Sequence, residues 1–330
     1  MTELEEPGNV HWSRQKEQAA GYWHVKILLI AYWVFPKIIM RILSYAVGFF
    51  YFLFSKRSRN ESRRFLLRAA AFLSKSKTGK KCASYSGVLR HIISFSLTVV
   101  EKLHSWGGKF PFKNIHFEDD DIGDLIEALE KGKGAFLICS HLGNAELLRA
   151  LASHNRTGVS RSIKVTSIVD MESTANFNRM LREVNPHFAL DIISAKEINP
   201  ETALFLEERL AAGELVVIAG DRTSMDRSEE DILIQFFGEE APFSRGPFYL
   251  AALLKAPVYF VFALRRGALS ILSQYDMHVH RFMLPQECTR KERIKLSYDM
   301  ARSFAAFLER YCKEEPFQWY NFYNFWAKGA

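Results

Sequence analysis

A histidine followed five positions later by a carboxylate comes directly after a strongly apolar segment. Residues 134–140 form that segment, and the chain continues as His141-Leu142-Gly143-Asn144-Ala145-Glu146. A neutral imidazole can take a proton from a hydroxyl near pH 7, and a carboxylate can hold its tautomer and stabilise the imidazolium that forms. We therefore predict that His141 is a general base and that Glu146 is its partner.

The spacing alone is weak evidence for catalysis, because His116 and Asp121 have the same spacing. His116 enters an acidic run typical of a solvated turn that caps the next helix. His141 instead leaves a buried-strand pattern, and Glu146 falls in the first turn of the helix predicted after it. Gly143 lets backbone approach closely and is the candidate oxyanion donor. A hydrogen-bonded strand-end histidine without a chemical role is the alternative for this loop.

The elements that must position this loop alternate along the chain beyond residue 115. The strands are predicted at 135–140, 163–169, 189–193, 215–219, 258–263 and 269–274. The helices are predicted at 122–130, 145–153, 172–183, 202–212, 247–255 and 290–313. Alternation of this kind predicts an α/β fold with a mainly parallel central sheet flanked by helices, and reactive groups at the carboxyl ends of strands.

The most apolar stretch of the chain, residues 27–54, precedes that region. Lys37, Arg41 and Pro36 interrupt it. It is compatible with a single tilted span, a shallow hairpin broken at Pro36, an interfacial helix or a buried core helix. The basic run that follows, from Lys56 to Lys81, is typical of the cytoplasmic flank of an anchor. We therefore predict an N-terminal membrane-anchoring helical segment.

The charge of the chain is distributed unevenly. Its 330 residues carry 44 Lys and Arg against 37 Asp and Glu, but residues 1–115 hold 19 of the bases and only 6 of the acids. The remainder has no basic surplus with which to follow a nucleic-acid backbone, so no nucleic-acid partner is expected. The predicted organisation is a polar segment (1–26), an apolar anchor (27–54), a basic helical region (55–113) and a catalytic domain (114–330). An anionic membrane surface is the expected partner of the basic region.

The four cysteines form no pair at metal-ligand or redox spacing. They are Cys82, Cys139, Cys288 and Cys312. We expect reduced thiols and no metal site.

The His141 loop resembles the H-x-x-x-x-(D/E) block of the lysophospholipid acyltransferase superfamily, specifically its lipid A late acyltransferase branch. Further segments are similar to the family's blocks in the same order. They are Gly220-Asp221-Arg222, the segments 236–238 and 241–247, the segment 256–262 leading to Arg265, and the aromatic tail 316–326. The resemblance covers about residues 20–328. The tail itself is either an interfacial aromatic belt or a terminal segment packed on the domain.

The resemblance implies an O-acyltransferase without a cofactor. An acyl chain would move from an acyl carrier protein or coenzyme A thioester to a hydroxyl of a membrane lipid or glycolipid, such as a lipid A precursor. The implied location is the bacterial inner membrane, with the catalytic domain on the cytoplasmic side. A non-catalytic, membrane-associated lipid-binding protein on the same fold is the alternative.

Four residues are predicted to bind substrate. Arg222 and Arg245 are candidates for a phosphate or anionic headgroup, because a guanidinium can bind it bidentately. Ordinary ion pairing with neighbouring acids is the alternative for both arginines. Gly246 and Asn144 complete the set. Ser140 stands where the lipid A enzymes commonly carry Asn, and this departure is similar to divergent members associated with aryl polyene pigment clusters, whose acceptor need not be lipid A.

Overall fold

The computed structural model describes residues 27, 30–73, 76–118, 121–153, 155, 157–170, 192–222, 231–285 and 289–326. The predicted polar segment 1–26, the predicted helix 172–183, most of the predicted strand 189–193 and Cys288 lie outside these residues.

In the described part of the chain, four helices follow the short helical stretch 30–34 and precede the sheet. They are α1 (Lys37–Phe54), α2 (Lys56–Phe72), α3 (Lys77–Cys82) and α4 (Tyr85–Trp106). Each of the last three begins after a serine whose hydroxyl accepts an amide hydrogen of the first turn, namely Ser55, Ser76 and Ser84. Such side-chain caps satisfy donors that a helix start leaves without an intrahelical partner. The described residues between the apolar stretch and the sheet are therefore mostly helical.

A seven-stranded sheet forms the centre of the fold. Its strands, in chain order, are β1 (Ile115–Phe117), β2 (Ala135–Gly143), β3 (Val165–Val169), β4 (Ile192–Ser194), β5 (Leu215–Ala219), β8 (Val258–Arg265) and β9 (Tyr275–Phe282). The spatial order is β1-β9-β8-β2-β5-β3-β4. Only the β8–β9 pairing is antiparallel. The prediction of a mainly parallel α/β sheet is confirmed.

Helices cover both faces of this sheet. They are α5 (Asp121–Glu130), α6 (Glu146–Ser153), α7 (Pro200–Ala211), α8 (Arg245–Leu254) and α9 (Arg290–Glu314). Alternate β2 residues belong to two different core clusters, Phe136 and Ile138 to one, Ala135 and Leu137 to the other. Burial on both faces explains why β2 has a continuous apolar sequence.

The antiparallel part of the fold differs from the prediction. Residues 269–274 form a turn, not the predicted strand, and the amide of Arg266 donates to the carbonyl of Gln274 across it (2.9 Å). The strand begins at Tyr275, where buried and partly exposed residues alternate. That alternation marks a half-buried strand more reliably than a short apolar run does. A separate hairpin of β6 (Ile232–Phe236) and β7 (Glu239–Phe243) was also not predicted.

Helix α1 is the one helix of the described ranges that is long and apolar enough to cross a membrane. Its buried residues, Met40, Ser44 and Gly48, lie on one face. At Gly48 an added Cβ would come within 2.9 Å of the Ile93 Cα, so α1 packs closely on α4. The predicted apolar anchoring segment is therefore present as a helix that is packed on one side and apolar on the other.

Candidate active site

The site lies where two neighbouring parallel strands end. Cys139 of β2 is paired in register with Ala219 of β5. His141 and Asp221 each follow those partners by two residues, so both emerge at the carboxyl edge of the sheet. This edge is where open α/β sheets place their functional groups.

Asp221 holds His141 through both carboxylate oxygens. Its Oδ1 lies 2.8 Å from His141 Nδ1, and its Oδ2 accepts the His141 backbone N–H at 2.8 Å. The Asp221 side chain is completely buried, whereas that of His141 is 34% exposed. A carboxylate at Nδ1 assigns the proton to that nitrogen, so that Nε2 is the proton-accepting atom.

The electrostatics favour an ionised Asp221 beside a neutral His141. Burial alone would raise the pKa of Asp221, but His141, Arg222 and the indole of Trp319 bring that pKa below its usual value. Desolvation and the Arg222 charge lower the pKa of His141, and Asp221 only partly opposes this. A neutral imidazole with an oriented proton is the form that a general base requires.

The C-terminal tail hydrogen-bonds to both Asp221 and His141. The Trp319 Nε1–H donates to Asp221 Oδ2 (2.9 Å), and the Tyr320 amide donates to the His141 carbonyl (3.1 Å). Trp319 is fully buried. The aromatic tail therefore packs on the domain and also supplies a hydrogen bond to the site. Trp319 and Asp221 are 98 residues apart, so no local sequence signal indicates their contact.

Trp319→Phe should lower kcat about tenfold with little change in KM. Phenylalanine retains most of the ring packing but removes a hydrogen bond to a charged group, which is worth about 1.5–3 kcal/mol. Steady-state kinetics would measure the effect. Trp326→Phe is the matched control, because that indole donates to the Phe236 carbonyl and not to Asp221. An equal loss of kcat in both variants would show that Trp319 acts through packing alone.

Glu146 occupies the predicted position in the first turn of α6 but has different partners. Its Oε2 accepts from Trp106 Nε1 at 3.2 Å and lies 3.8 Å from Arg149 Nη1. The carboxylate that bonds His141 is Asp221, so the predicted His141–Glu146 pairing is replaced. Glu146 therefore contacts α4 through Trp106. A contribution of Glu146 to catalysis stays a prediction.

Gly143 is required by the fold, and its amide is occupied. Its φ is +68°, and an added Cβ would lie 1.9 Å from the Ala263 carbonyl oxygen. Its N–H donates to the Gln318 carbonyl (2.9 Å). The neighbouring amides of Leu142 and Asn144 also have acceptors. The predicted oxyanion role of Gly143 would therefore need this hydrogen bond to break.

Two cations lie at the site. Arg222 Nε is 3.4 Å from His141 Nε2, and its guanidinium carbon lies 5.0 Å from the centre of the Tyr323 ring. Lys102 of α4 interacts electrostatically with groups of the site: burial lowers its pKa, while the charges of Glu146 and Asp221 oppose that effect. Arg222 was predicted and Lys102 was not. No sequence signal places α4 above the His141 loop.

Arg222→Gln should move the acidic limb of the kcat/KM profile to higher pH. The base works only when it is neutral, so activity falls as the pH drops through the pKa of His141. Arg222 lowers that pKa, and removing its positive charge should raise it. A pH series between about 4 and 9 would measure the limb, with Arg302→Gln at an exposed position of α9 as the control. An unmoved limb would contradict the assignment of His141 as the titrating base.

The other predicted substrate residues have different surroundings. Arg245 begins α8, with its guanidinium carbon 5.9 Å from the Tyr249 ring centre. An added Cβ at Gly246 would meet only Ser244 Oγ, at 3.6 Å. Asn144 is fully buried, and the nitrogen and oxygen of its side-chain amide have no hydrogen-bond partner among the described residues. Their roles in substrate binding stay predictions.

Comparison with known proteins supports the family resemblance of the ordered sequence segments. A family model described as bacterial lipid A biosynthesis acyltransferase matches residues 9–328. A search of curated proteins gives no significant match. The family model extends over nearly the whole chain, including the His141 loop, Asp221 and the aromatic tail. The chain therefore belongs to the bacterial lipid A biosynthesis acyltransferase family.

Proposed function

We propose that this protein transfers an acyl chain from a thioester to a hydroxyl of a membrane lipid or glycolipid. The family accounts for an acyl donor and a lipid acceptor. The donor is an acyl carrier protein or coenzyme A thioester, and a lipid A precursor is the reference acceptor. The proposed location is the cytoplasmic side of the bacterial inner membrane.

The reaction begins with proton transfer to His141. Nε2 takes the hydroxyl proton while the oxygen attacks the thioester carbonyl carbon and a C–O bond forms. The tetrahedral intermediate then collapses, the C–S bond breaks, and the leaving thiolate receives the proton from Nε2. Asp221 keeps the other ring proton in place and stabilises the transient imidazolium. No redox step or external base is needed.

The negative charge that develops on the carbonyl oxygen falls next to cations. Arg222 lies against the Nε2 atom at which the hydroxyl must arrive, and Lys102 lies on the α4 side of the same site. A fixed positive charge in a partly desolvated site stabilises an oxyanion more than it would in water. This supports a role for Arg222 in stabilising the oxyanion, besides its predicted role in binding an anionic headgroup.

The observation that carries the proposal is the hydrogen-bonded pair of Asp221 and His141 Nδ1. A buried carboxylate behind a partly exposed imidazole is the arrangement that activates a hydroxyl.

The test is an acyl-transfer assay with defined donors. Purified protein in phospholipid vesicles that contain a lipid A precursor receives lauroyl thioesters of carrier protein or of coenzyme A, and mass spectrometry detects the product lipid. We expect acceptor mass to increase by one acyl group with at least one donor, and His141→Asn to abolish it. Lipid binding without acylation by either donor would favour the non-catalytic alternative.

A further inference from the structure

The exposed side of α1 is almost entirely hydrocarbon. Its exposed side chains include Ile38, Ile39, Ile42, Leu43, Val47, Phe49, Phe50, Leu53 and Phe54. Just before it, Ile30, Trp33, Val34 and Phe35 are exposed too. Neighbouring apolar side chains in such number are rare on a surface that faces only water. A large unpartnered surface of this kind needs an apolar environment.

One face of helix α1 is held against the rest of the domain. It lies antiparallel along α4: Gly48 fits against Ile93, while Tyr32, just before α1, lies beside His104 with ring centres 5.7 Å apart. Arg41 Nη1 donates to the Ile271 carbonyl (2.9 Å), and the Tyr45 hydroxyl donates to the Leu269 carbonyl. Both hydrogen bonds leave the first half of α1 and tie it to the turn that follows β8.

The partner helix is unsuited to hydrocarbon. Along α4, His91, Ser94, Thr98, Glu101 and His104 are buried and polar or charged. Glu101 forms an ion pair with Arg265 of β8 (2.7 Å). If α1 crossed a bilayer while it stayed packed on α4, this network and the adjoining sheet would have to enter the bilayer with it. Unmatched polar groups there are very costly.

The turn 266–274 extends the same surface. Its Ile271 and Leu272 are exposed, and its backbone is bonded to α1. This turn follows β8, whose Ala263 is paired with Gly143. The apolar surface therefore lies at the sheet edge that carries His141, where a lipid hydroxyl would have to arrive.

The charges around this surface fit an anionic membrane. No Asp or Glu occurs from residue 27 to residue 60. Lys109 Nζ lies 4.0 Å from the Tyr32 ring centre at one end, and Arg59 donates to the last carbonyls of α1 at the other. Cations at the rim of an apolar helix face bind the headgroups of anionic lipids.

We propose that α1 lies in the plane of the membrane, in one leaflet, and that the turn 266–274 lies beside it so that the His141 edge faces the lipid. The surface made by the exposed residues of α1 with Ile271 and Leu272 is the membrane-seating face. The orientation is inferred from exposure, packing and charge. It rests on the proposed function in one respect: a lipid acceptor explains why the His141 edge should face the bilayer.

Site-directed spin labelling tests the proposal directly. Ile39, Ala46 and Leu53 are exposed and spaced seven residues apart, so they share one stripe of α1. Each is replaced by Cys and labelled, and its depth is measured in phosphatidylethanolamine/phosphatidylglycerol vesicles from collisions with oxygen and a nickel chelate. Leu272→Cys probes the turn, and Glu207→Cys on α7 is the aqueous control. The unsubstituted chain gives the background from native cysteines.

The outcomes are distinct. An in-plane helix predicts equal depths at the three α1 positions, all within one leaflet, and a label at Leu272 near the interface. A spanning helix would separate successive positions by about 10 Å along the bilayer normal, with Ala46 deepest. That gradient, or three water-exposed labels, would overturn the proposal. These depths do not depend on turnover, so equal depths without acyl transfer would reject the proposed reaction and leave the orientation standing.

Discussion

Asp221→Asn is expected to reduce kcat by about 10²–10⁴-fold while the protein stays folded. An asparagine can still accept one hydrogen bond, but it no longer favours the Nδ1–H tautomer or stabilises the imidazolium. His141→Asn should remove the base itself and reduce kcat at least as much, and its amide can still donate to Asp221. Product formation under single-turnover conditions measures both effects.

The two residues should act as a unit. The double variant is therefore expected to be no slower than His141→Asn alone, because groups that work together lose their contribution together. Asp124→Asn, at an exposed ion pair with Arg281, is the matched control and should keep full activity. Circular dichroism and urea unfolding report whether each variant is folded. A folded Asp221→Asn with unreduced turnover would contradict the role assigned to Asp221.

The second large effect is expected at the buried ion pair between α4 and β8. Glu101 and Arg265 are both completely buried, and Glu101 also accepts from the hydroxyls of Ser273 and Tyr275. Arg265→Met leaves the carboxylate buried without its counter-charge, which costs about 3–5 kcal/mol. Glu101→Gln should cost less in the Arg265→Met background than in the original chain. In the original chain it leaves the Arg265 charge buried without a partner, and in the Met background that charge is absent.

Urea unfolding of the two single variants and the double variant would measure this coupling. Arg302→Met on α9 breaks an exposed pair with Asp299 and should change the unfolding free energy by at most about 1 kcal/mol. Additive losses at positions 101 and 265 would show that the two charges do not depend on each other. Because this pair ties α4 to the sheet, Arg265→Met should also weaken the placement of Lys102.

Much of the fold was predictable because its elements have strong local signals. The buried strand 215–219 and the long helix beginning at Arg290 coincide with the structure, since a continuous apolar run and a 3.6-residue period are local properties. The strand predicted at 269–274 was wrong because an apolar run of that length does not distinguish a strand from an exposed turn. The β6–β7 hairpin was missed because its turn, Phe237-Gly238, carries a bulky residue at positive φ.

The site was predictable only in part. His141 follows a buried strand, and that placement could be inferred from the order of residues. Its carboxylate partner could not: Glu146 was predicted from its spacing, whereas Asp221 contacts His141. The contact depends on β5 lying next to β2 in the sheet. Asp221 is 80 residues from His141 in the chain, so only the folded sheet brings the two together.

The sequence by itself determined the α/β class, the placement of His141 after an apolar run and the apolar character of residues 27–54, because each depends on residue types within a short window. It also determined the family, through ordered blocks that extend along most of the chain. The tertiary structure alone decided which carboxylate holds His141, that Trp319 bonds this carboxylate, and that α1 is packed along α4. These are contacts between residues 45–98 positions apart, and their geometry is set by strand order and helix packing.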